Sequence, residues 1–385
     1  MRAAPANLED CFSIFDLREL ARRRLPAPIF HYMDGGAEDE ATLQRNISAF
    51  DAHRLVPRCL VDVSNVRTAT RVLGQDLQWP LLCSPTGASR FYHAEGELAV
   101  ARAAEQSGAF YALSVAATHS LEAVASASSG PKLFQLLPFK NRELTQELIE
   151  RCRRAGYSAL CLTVDAAVRG KRERELRAGM GVLPRLSFSS MGRFALCPRW
   201  VLSQLRHGSL SMPNLAGAAP GPGLAANGKY LNEQIDCAMG WKEVRAMIEQ
   251  WGGPFVIKGV MRADDARLAA DAGATAVIVS NHGGRQLDGA AAAIDVLPQI
   301  VAAVGDRIEV ILDGGVRRGA HILKALALGA KACCIGRPYL YGLGAGGEAG
   351  VGHALQLLRT ELVRAMQLTG CTDVRSIDKS IVERL

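Results

Sequence analysis

The chain has 385 residues, is 49% hydrophobic and 22% charged, and carries a formal net charge of +7. Those values exclude a disordered chain and suit one large α/β domain or two average ones, with a core that needs no disulfide or metal staple. No apolar stretch reaches the ~18 residues needed to cross a bilayer, the opening MRAAPANLED lacks the apolar region of a secretion signal, and the cysteines and histidines are scattered without metal-ligand spacing.

Scattered thiols in a chain of this length point to a reducing, cytoplasmic setting and to no metal site. In chain order, residues 14–24 form an amphipathic helical pattern before Pro26, and residues 1–78 read as an N-terminal extension whose first half is helical. Eight short apolar runs then follow, at 81–83, 110–115, 133–137, 159–164, 255–257, 276–279, 309–312 and 332–335. Continuous runs rich in Val, Ile, Leu and Cys suit strands buried on both faces of a parallel sheet. Helical spacing fills 95–108, 142–156, 241–251, 263–273, 290–305 and 317–329, several of these ending at a glycine. This alternation predicts an α/β fold, a (β/α)8 TIM barrel. Strand starts at Ser158 and Phe255 lie 97 residues apart, so a long insertion follows the fourth strand. The expected organisation is a single domain over 1–385, with the barrel in 79–175 and 231–385 and a basic insertion at 176–230.

Polar residues fall at the same end of almost every run. Thr86 follows the first, Ser114 ends the second, Gln135 lies in the third, and Thr163 and Asp165 close the fourth. Lys258 stands one residue beyond the fifth, Asn281, His282 and Arg285 follow the sixth, Asp313 follows the seventh and Arg337 the eighth. In a barrel these positions open onto the C-terminal face, where active sites are built. A packing-only account explains one or two such residues, not a polar group on eight strands.

LDGGVRRG and IGRP place Gly314, Gly315, Arg317, Gly336 and Arg337 after the last two runs. Glycine lets backbone N–H groups approach an anion and arginine adds a bidentate charge, so these residues propose a phosphate seat. Lys258 reads either as a lysine snorkelling to solvent or as a fixed cation near a ring that gains negative charge. His282, flanked by glycines in SNHGGRQLD, reads as a general base, with Asp165 across the mouth orienting its ring.

The motifs SNHGGRQLD, LDGGVRRG, KALALGA, IGRP, VIKGV, LTVD and YMDGGAEDE closely resemble the FMN-dependent 2-hydroxy-acid oxidases and dehydrogenases, from about Phe12 to Gly370. SPTG, VRGKRERELR and CPRW…LRHG look most like the family's membrane-associated mandelate dehydrogenases. The resemblance implies FMN as cofactor, His282 as base with Asp165 as partner, and Arg285, Arg172 and Tyr32 as the clamp on a substrate carboxylate. It implies that Pro85, Thr86 and Gly87 face the reactive edge of the flavin. Ser114, Gln135, Thr163, Lys258 and Ser280 become ring contacts, Asp313 a ribityl contact, and Gly314, Gly315, Arg317, Gly336 and Arg337 the phosphate site. It also implies a homotetramer. Neutral histidine at resting pH, a fixed carboxylate and a cation beside the flavin are what oxidation of a 2-hydroxy acid to a 2-keto acid requires.

Four positions depart from the commoner pattern. Gly87 stands where oxidases carry Ala, which implies a quinone-type electron acceptor. Ala116 stands where glycolate oxidases carry Trp, which implies a substrate larger than glycolate, mandelate- or lactate-like. Leu137 ends FQLL where the family reads FQLY, so a hydroxyl that would face the substrate is missing. Arg169 reads as a solvated loop arginine, or more sharply as an extra cation for an acidic substituent on the substrate.

The insertion at 176–230 holds no Asp or Glu and includes Arg177, Arg185, Arg193, Arg199, Arg206 and Lys229. Leu183, Leu186, Phe188, Phe194, Leu196, Trp200, Val201 and Leu205 are interleaved with them. Such a mixture suits an anionic lipid surface, placing the protein peripherally on the cytoplasmic face of the inner membrane. The plainer alternative is a lid over the site whose stretch AGAAPGPGLAANG is disordered. No nucleic-acid signature accompanies the basic run. The rival functions are a flavin oxidoreductase of the same fold acting on a diacid or peptide-derived substrate, an oxygen-using hydroxy-acid oxidase, and a barrel that binds flavin without catalysis.

Overall fold

In the computed structural model, which describes residues 5–180, 194–219, 221 and 223–384, three short strands precede the barrel: β1 (His53–Leu55), β2 (Thr70–Val72) and β3 (Gln75–Leu77). Eight parallel strands close into the barrel itself. They are β4 (Leu81–Cys83), β5 (Phe110–Ser114), β6 (Lys132–Leu136), β7 (Ala159–Thr163), β8 (Phe255–Val260), β9 (Ala276–Val279), β10 (Glu309–Asp313) and β11 (Ala332–Ile335). All eight lie on the apolar runs read from the sequence. Strand β11 pairs with β4 to complete the ring, Cys333 opposite Leu81. The fold is the expected (β/α)8 barrel.

The runs lack polar alternation because both faces of each strand are buried. Phe110, Ala112, Leu133, Ala159, Cys161, Val256, Ala276, Ile278, Ile311, Ala332 and Cys334 form one apolar cluster inside the ring. Their neighbours Tyr111, Leu113, Phe134, Leu160, Leu162, Ile257, Val277 and Leu312 pack outward into the second cluster, with the helices. The β2–β3 hairpin adds Val72, Leu73 and Leu77 to the inner cluster and plugs the barrel's bottom. Strand geometry then fixes what happens at the top. Side chains two apart share a face, so the next inward position on each strand is Ser84, Ser114, Gln135, Thr163, Lys258, Ser280, Asp313 or Gly336. A dry core becomes a polar floor within one step of the same period.

One expectation shifts here. Lys258 lies inside β8, paired with Thr163 of β7, and is only 4% exposed. The snorkelling alternative therefore fails, because the inward face of the strand carries the ammonium into the barrel.

Helices Gly96–Ser107, Arg142–Arg154, Trp241–Trp251, Ala263–Asp271, Ala293–Val304 and Gly319–Ala327 fall on the expected patterns, and Leu121–Ala127 is an addition. The span Arg337–Thr369 is two helices joined at a kink at Gly346 and Gly347. Helix Ile14–Arg24 starts at Ser13, whose side chain accepts from the Asp16 N–H, and buries Ile14, Leu17, Leu20 and Ala21 against that long span. The N-terminal extension thereby reaches the barrel's top, where Asn46 of helix Ala41–Ser48 exchanges hydrogen bonds of 2.8 Å with Asn281.

Between β7 and β8 the chain forms helices Glu173–Arg177, Pro198–Arg206 and Leu224–Glu233. The third corrects the expectation of disorder over its part of AGAAPGPGLAANG. Leu224 and Tyr230 bury their side chains, and Asn227 Oδ1 accepts the Met212 N–H at 2.9 Å, which together outweigh the glycine-rich composition. Leu183, Arg185, Leu186, Phe188 and Arg193 lie outside the described residues. Trp200 and Phe194 are turned inward, Trp200 Nε1 donating to the Phe91 carbonyl at 2.8 Å, whereas Leu196 and Leu205 are 82% and 75% exposed.

Candidate active site

A cavity of about 650 Å³ opens at the C-terminal end of the barrel, within the range of roughly 300–1,000 Å³ usual for small-molecule and cofactor sites. Every site residue proposed from the sequence lines it except Asp165 and Ser280, which stand just behind the wall.

Lys258, Ser280 and Asp313 are neighbouring inward positions on β8, β9 and β10. Lys258 Nζ lies 2.8 Å from Asp313 Oδ2 and donates to Ser280 Oγ at 2.9 Å, and Ser280 Oγ donates to Asp313 at 2.7 Å. Burial pushes the Lys258 ammonium down, but Asp313 and Asp165 outweigh it and hold its pKa raised. Burial likewise pushes Asp313 up, and Lys258 brings it below the usual carboxylate range. Both groups stay charged without water. Ser84 Oγ adds a 2.8 Å bond to Asp313; it was missed from sequence, although the two-residue period from Leu82 points to it.

His282 sits at φ +58°, a left-handed conformation uncommon outside glycine, followed by Gly283 and Gly284 at +63° and +74°. The strain, about 1–3 kcal/mol for such a residue, is held by the His282 N–H bonded to Ser280 Oγ and the Gly284 N–H bonded to Asn281 Oδ1. The result aims the imidazole across the mouth. Its Nδ1 lies 3.0 Å from Asp165 Oδ1, which leaves Nε2 as the remaining ring nitrogen. Burial raises the Asp165 carboxyl, the imidazole and Lys258 lower it further, and the net shift is downward, so it stays ionised.

Beside the imidazole three guanidinium groups share one carboxylate, Glu175, which is 1% exposed. Arg285 contacts it at 2.7 Å, Arg169 at 3.4 Å and Arg172 at 3.7 Å. Arg285 also donates to the Tyr32 and Gly35 carbonyls, with its guanidinium 5.5 Å from the Tyr32 ring centroid. Burial and the neighbouring Arg285 push Arg172 down to about 9 against the pull of Glu175. Three positive groups on one negative group leave an excess suited to a carboxylate. Arg169 is an exposed loop residue that also lines the cavity, its side chain 38% exposed. Glu175 was missed from sequence; VRGKRERELR holds two acids, and only the fold shows that Glu175 is buried among the arginines while Glu173 pairs outside with Lys171 and Arg177.

Next to this cluster, Arg317 donates to the Val316 carbonyl and Arg337 to those of Gly283 and Gly35, the second shared with Arg285. Arg337 Nε is buried with no partner, and burial together with Arg285 and Arg317 pushes this guanidinium down to about 10 despite nearby Tyr341. Such a pair calls for an anion. Thr163 Oγ1 is a second buried atom lacking a partner. A Cβ at Gly336 meets nothing nearer than 3.9 Å, so space remains beside the arginines. A polar floor with an orphaned hydroxyl and a basic corner with an orphaned N–H fit a flavin carrying a phosphate. Gly315 is sterically required: at φ +77° its Cβ would lie 1.8 Å from the Asn46 carbonyl oxygen. Gly315→Ala is expected to push the N-terminal extension off the basic corner and reduce bound FMN by more than about half; flavin absorbance per purified chain measures it.

Cavity, polar floor, imidazole–carboxylate pair and basic corner define a barrel flavoenzyme. The family model for FMN-dependent dehydrogenases matches residues 21–384, and the chain belongs to that family, the flavin enzymes of the 2-hydroxy-acid oxidase and dehydrogenase class, with FMN as cofactor. It is 46% identical to L-lactate oxidase of Nostoc sp. over 96% of this chain and 97% of that protein. It is 40% identical to 2-hydroxyacid oxidase 1 of Homo sapiens over 96% of each. Among solved structures it is similar to the monotopic membrane protein (S)-mandelate dehydrogenase, with a TM-score of 0.94 and 38% identity over 97% of this chain and all of that one.

Proposed function

We propose that this protein oxidises an L-2-hydroxy acid larger than glycolate, of the lactate or mandelate kind, to the 2-keto acid and passes the electrons to a quinone-type acceptor. The observation that carries the reading is the His282–Asp165 pair at 3.0 Å facing a guanidinium cluster in one cavity. Bound FMN supplies the two-electron acceptor, seated by the Arg317–Arg337 corner and the floor around Lys258. Arg285 and Arg172 grip the substrate carboxylate and fix the α-carbon, an orientation effect that is large in enzymes generally. His282 Nε2 takes the proton that leaves the substrate. Asp165, on Nδ1, holds the tautomer and balances the imidazolium charge.

Ala116 and Leu137 make the remaining wall apolar, with Ala116 leaving room, which supports a substituent larger than hydrogen. Gly87 supports the acceptor assignment: a Cβ there would press on Ala116 Cβ at 3.1 Å, so glycine leaves this part of the cavity wall more open than alanine would. In anaerobic mixing, L-mandelate and L-lactate are expected to bleach the flavin faster than glycolate, and turnover with a soluble quinone analogue to exceed that with oxygen. Glycolate as the best substrate, or oxygen as the faster acceptor, rejects those parts separately. Arg169 on the wall favours a second reading, a dicarboxylic substrate, so a 2-hydroxy diacid belongs in the same panel.

No helix among the described residues is long and apolar enough to cross a membrane. Helix Pro198–Arg206 nevertheless exposes Leu202 and Leu205 beside Arg199 and Arg206. This supports attachment to an anionic lipid surface, where each basic residue contributes about 1 kcal/mol. Replacing Leu202 and Leu205 by Gln is expected to halve co-sedimentation with anionic vesicles or better, with unchanged turnover; undiminished co-sedimentation counts against the helix as the anchor.

A further inference from the structure

We propose that Tyr92 is a substrate-contacting residue, supplying from the loop after β4 the phenolic donor that Leu137 lacks. The inference rests on the function proposed above and deepens it. At the end of β6 this chain has leucine where a tyrosine hydroxyl would reach the substrate. The sequence alone leaves that corner without a donor on its neutral side.

Tyr92 fills it from another strand. It follows the 3-10 turn Ser89–Phe91, and the turn is rigid: the Tyr92 N–H donates to the Ser89 carbonyl at 3.0 Å, the Ser89 N–H to buried Glu97 at 3.0 Å and the Arg90 N–H to Thr118 Oγ1 at 3.2 Å. The side chain is 4% exposed and lines the same cavity as Leu137, Arg285 and His282. Its electrostatic neighbours are Tyr32, Arg285, Glu175 and Arg172, the group around which a carboxylate would sit. Its hydroxyl forms no hydrogen bond with any described residue. The hydroxyl oxygen is not fully enclosed by protein and opens onto the cavity, and a tyrosine O–H at such a place pairs with a polar atom. Facing a cavity, the missing partner is a ligand atom. Burial pushes the phenol well above its ordinary range, with Tyr32 adding to the effect and Arg285 opposing it, so the group is an O–H donor at neutral pH. The ligand chemistry this selects is an anionic oxygen, the carboxylate of the 2-hydroxy acid.

A hydrogen bond to a charged group is worth about 1.5–3 kcal/mol, which converts to roughly 10- to 100-fold in rate. The test compares wild-type holoenzyme with Tyr92→Phe and Tyr92→Met, using the 2-hydroxy acid that wild type turns over best and rates per bound flavin. Methionine fills the space without a donor and serves where the phenylalanine variant does not accumulate. The expected result is a 10- to 100-fold fall in kcat/KM, mostly as a higher KM because the carboxylate is held before and during reaction, with flavin content and spectrum unchanged. A per-flavin kcat/KM within twofold of wild type overturns the proposal, as does a loss confined to flavin content. If wild type itself is reduced by no 2-hydroxy acid, the function reading fails and this one with it; if wild type turns over and the variants equal it, only this one fails.

Discussion

His282→Gln is expected to lower the rate of flavin reduction by about 10³- to 10⁴-fold, near the upper end of what a positioned general base contributes, while bound FMN stays at the wild-type level. Glutamine keeps a polar group near Asp165 but cannot accept a proton at neutral pH. Flavin retention is expected because no side-chain atom of His282 belongs to the basic corner or the floor around Lys258; its contact to Ser280 is made by the backbone N–H, which glutamine keeps. Rapid anaerobic mixing with saturating substrate isolates the reductive step from the acceptor. A fall of less than tenfold means that another group removes the proton, and the imidazole–carboxylate pair at 3.0 Å is then only structural.

The second large effect falls on stability. Glu175→Gln removes the one carboxylate that Arg285, Arg172 and Arg169 share. Glutamine preserves the shape and one acceptor, but the two innermost guanidinium groups, 12% and 16% exposed, lose their counter-charge. Breaking a buried ion pair from one side costs about 3–5 kcal/mol, and the holoenzyme is expected to lose about 3 kcal/mol in denaturant unfolding. A second signature follows from the same charge balance. A 2-keto acid supplies the missing negative charge, so it should stabilise the variant more than it stabilises wild type. A loss below about 1 kcal/mol, with equal stabilisation of both proteins by the ligand, means the carbonyls of Tyr32 and Gly35 carry the arginines without help.

Much of this site was legible in the chain because its residues obey strand periodicity. Ser114, Gln135, Thr163, Lys258 and Asp313 each continue the inward face of an apolar run, so locating the run locates the side chain. The glycine and arginine pairs after β10 and β11 were equally local. Lys258 was misplaced by one residue because a lysine in an apolar run reads as the strand's end. The start of helix Leu224–Glu233 falls in AGAAPGPGLAANG, which the lid alternative reads as disordered because glycine and proline dominate it, while the helix is held by burying Leu224 and Tyr230. In the basic run, the aromatic side chains were grouped with the leucines, yet among the described residues Trp200 bonds the Phe91 carbonyl while Leu196, Leu202 and Leu205 face outward.

What the sequence determined by itself is the barrel, the end that carries chemistry and the residue types on its floor, since these follow from a period of two and from turns that act over a few residues. What only the tertiary structure decided is who meets whom across the mouth. The pairing of His282 with Asp165, 117 positions away, and of Arg285 with Glu175, 110 away, arises from ring closure and from loops folding over it. The placing of Tyr92 and Leu137 on the wall of one cavity has the same origin. Such contacts depend on the angle and height of each strand around the barrel, which no local pattern of residues encodes.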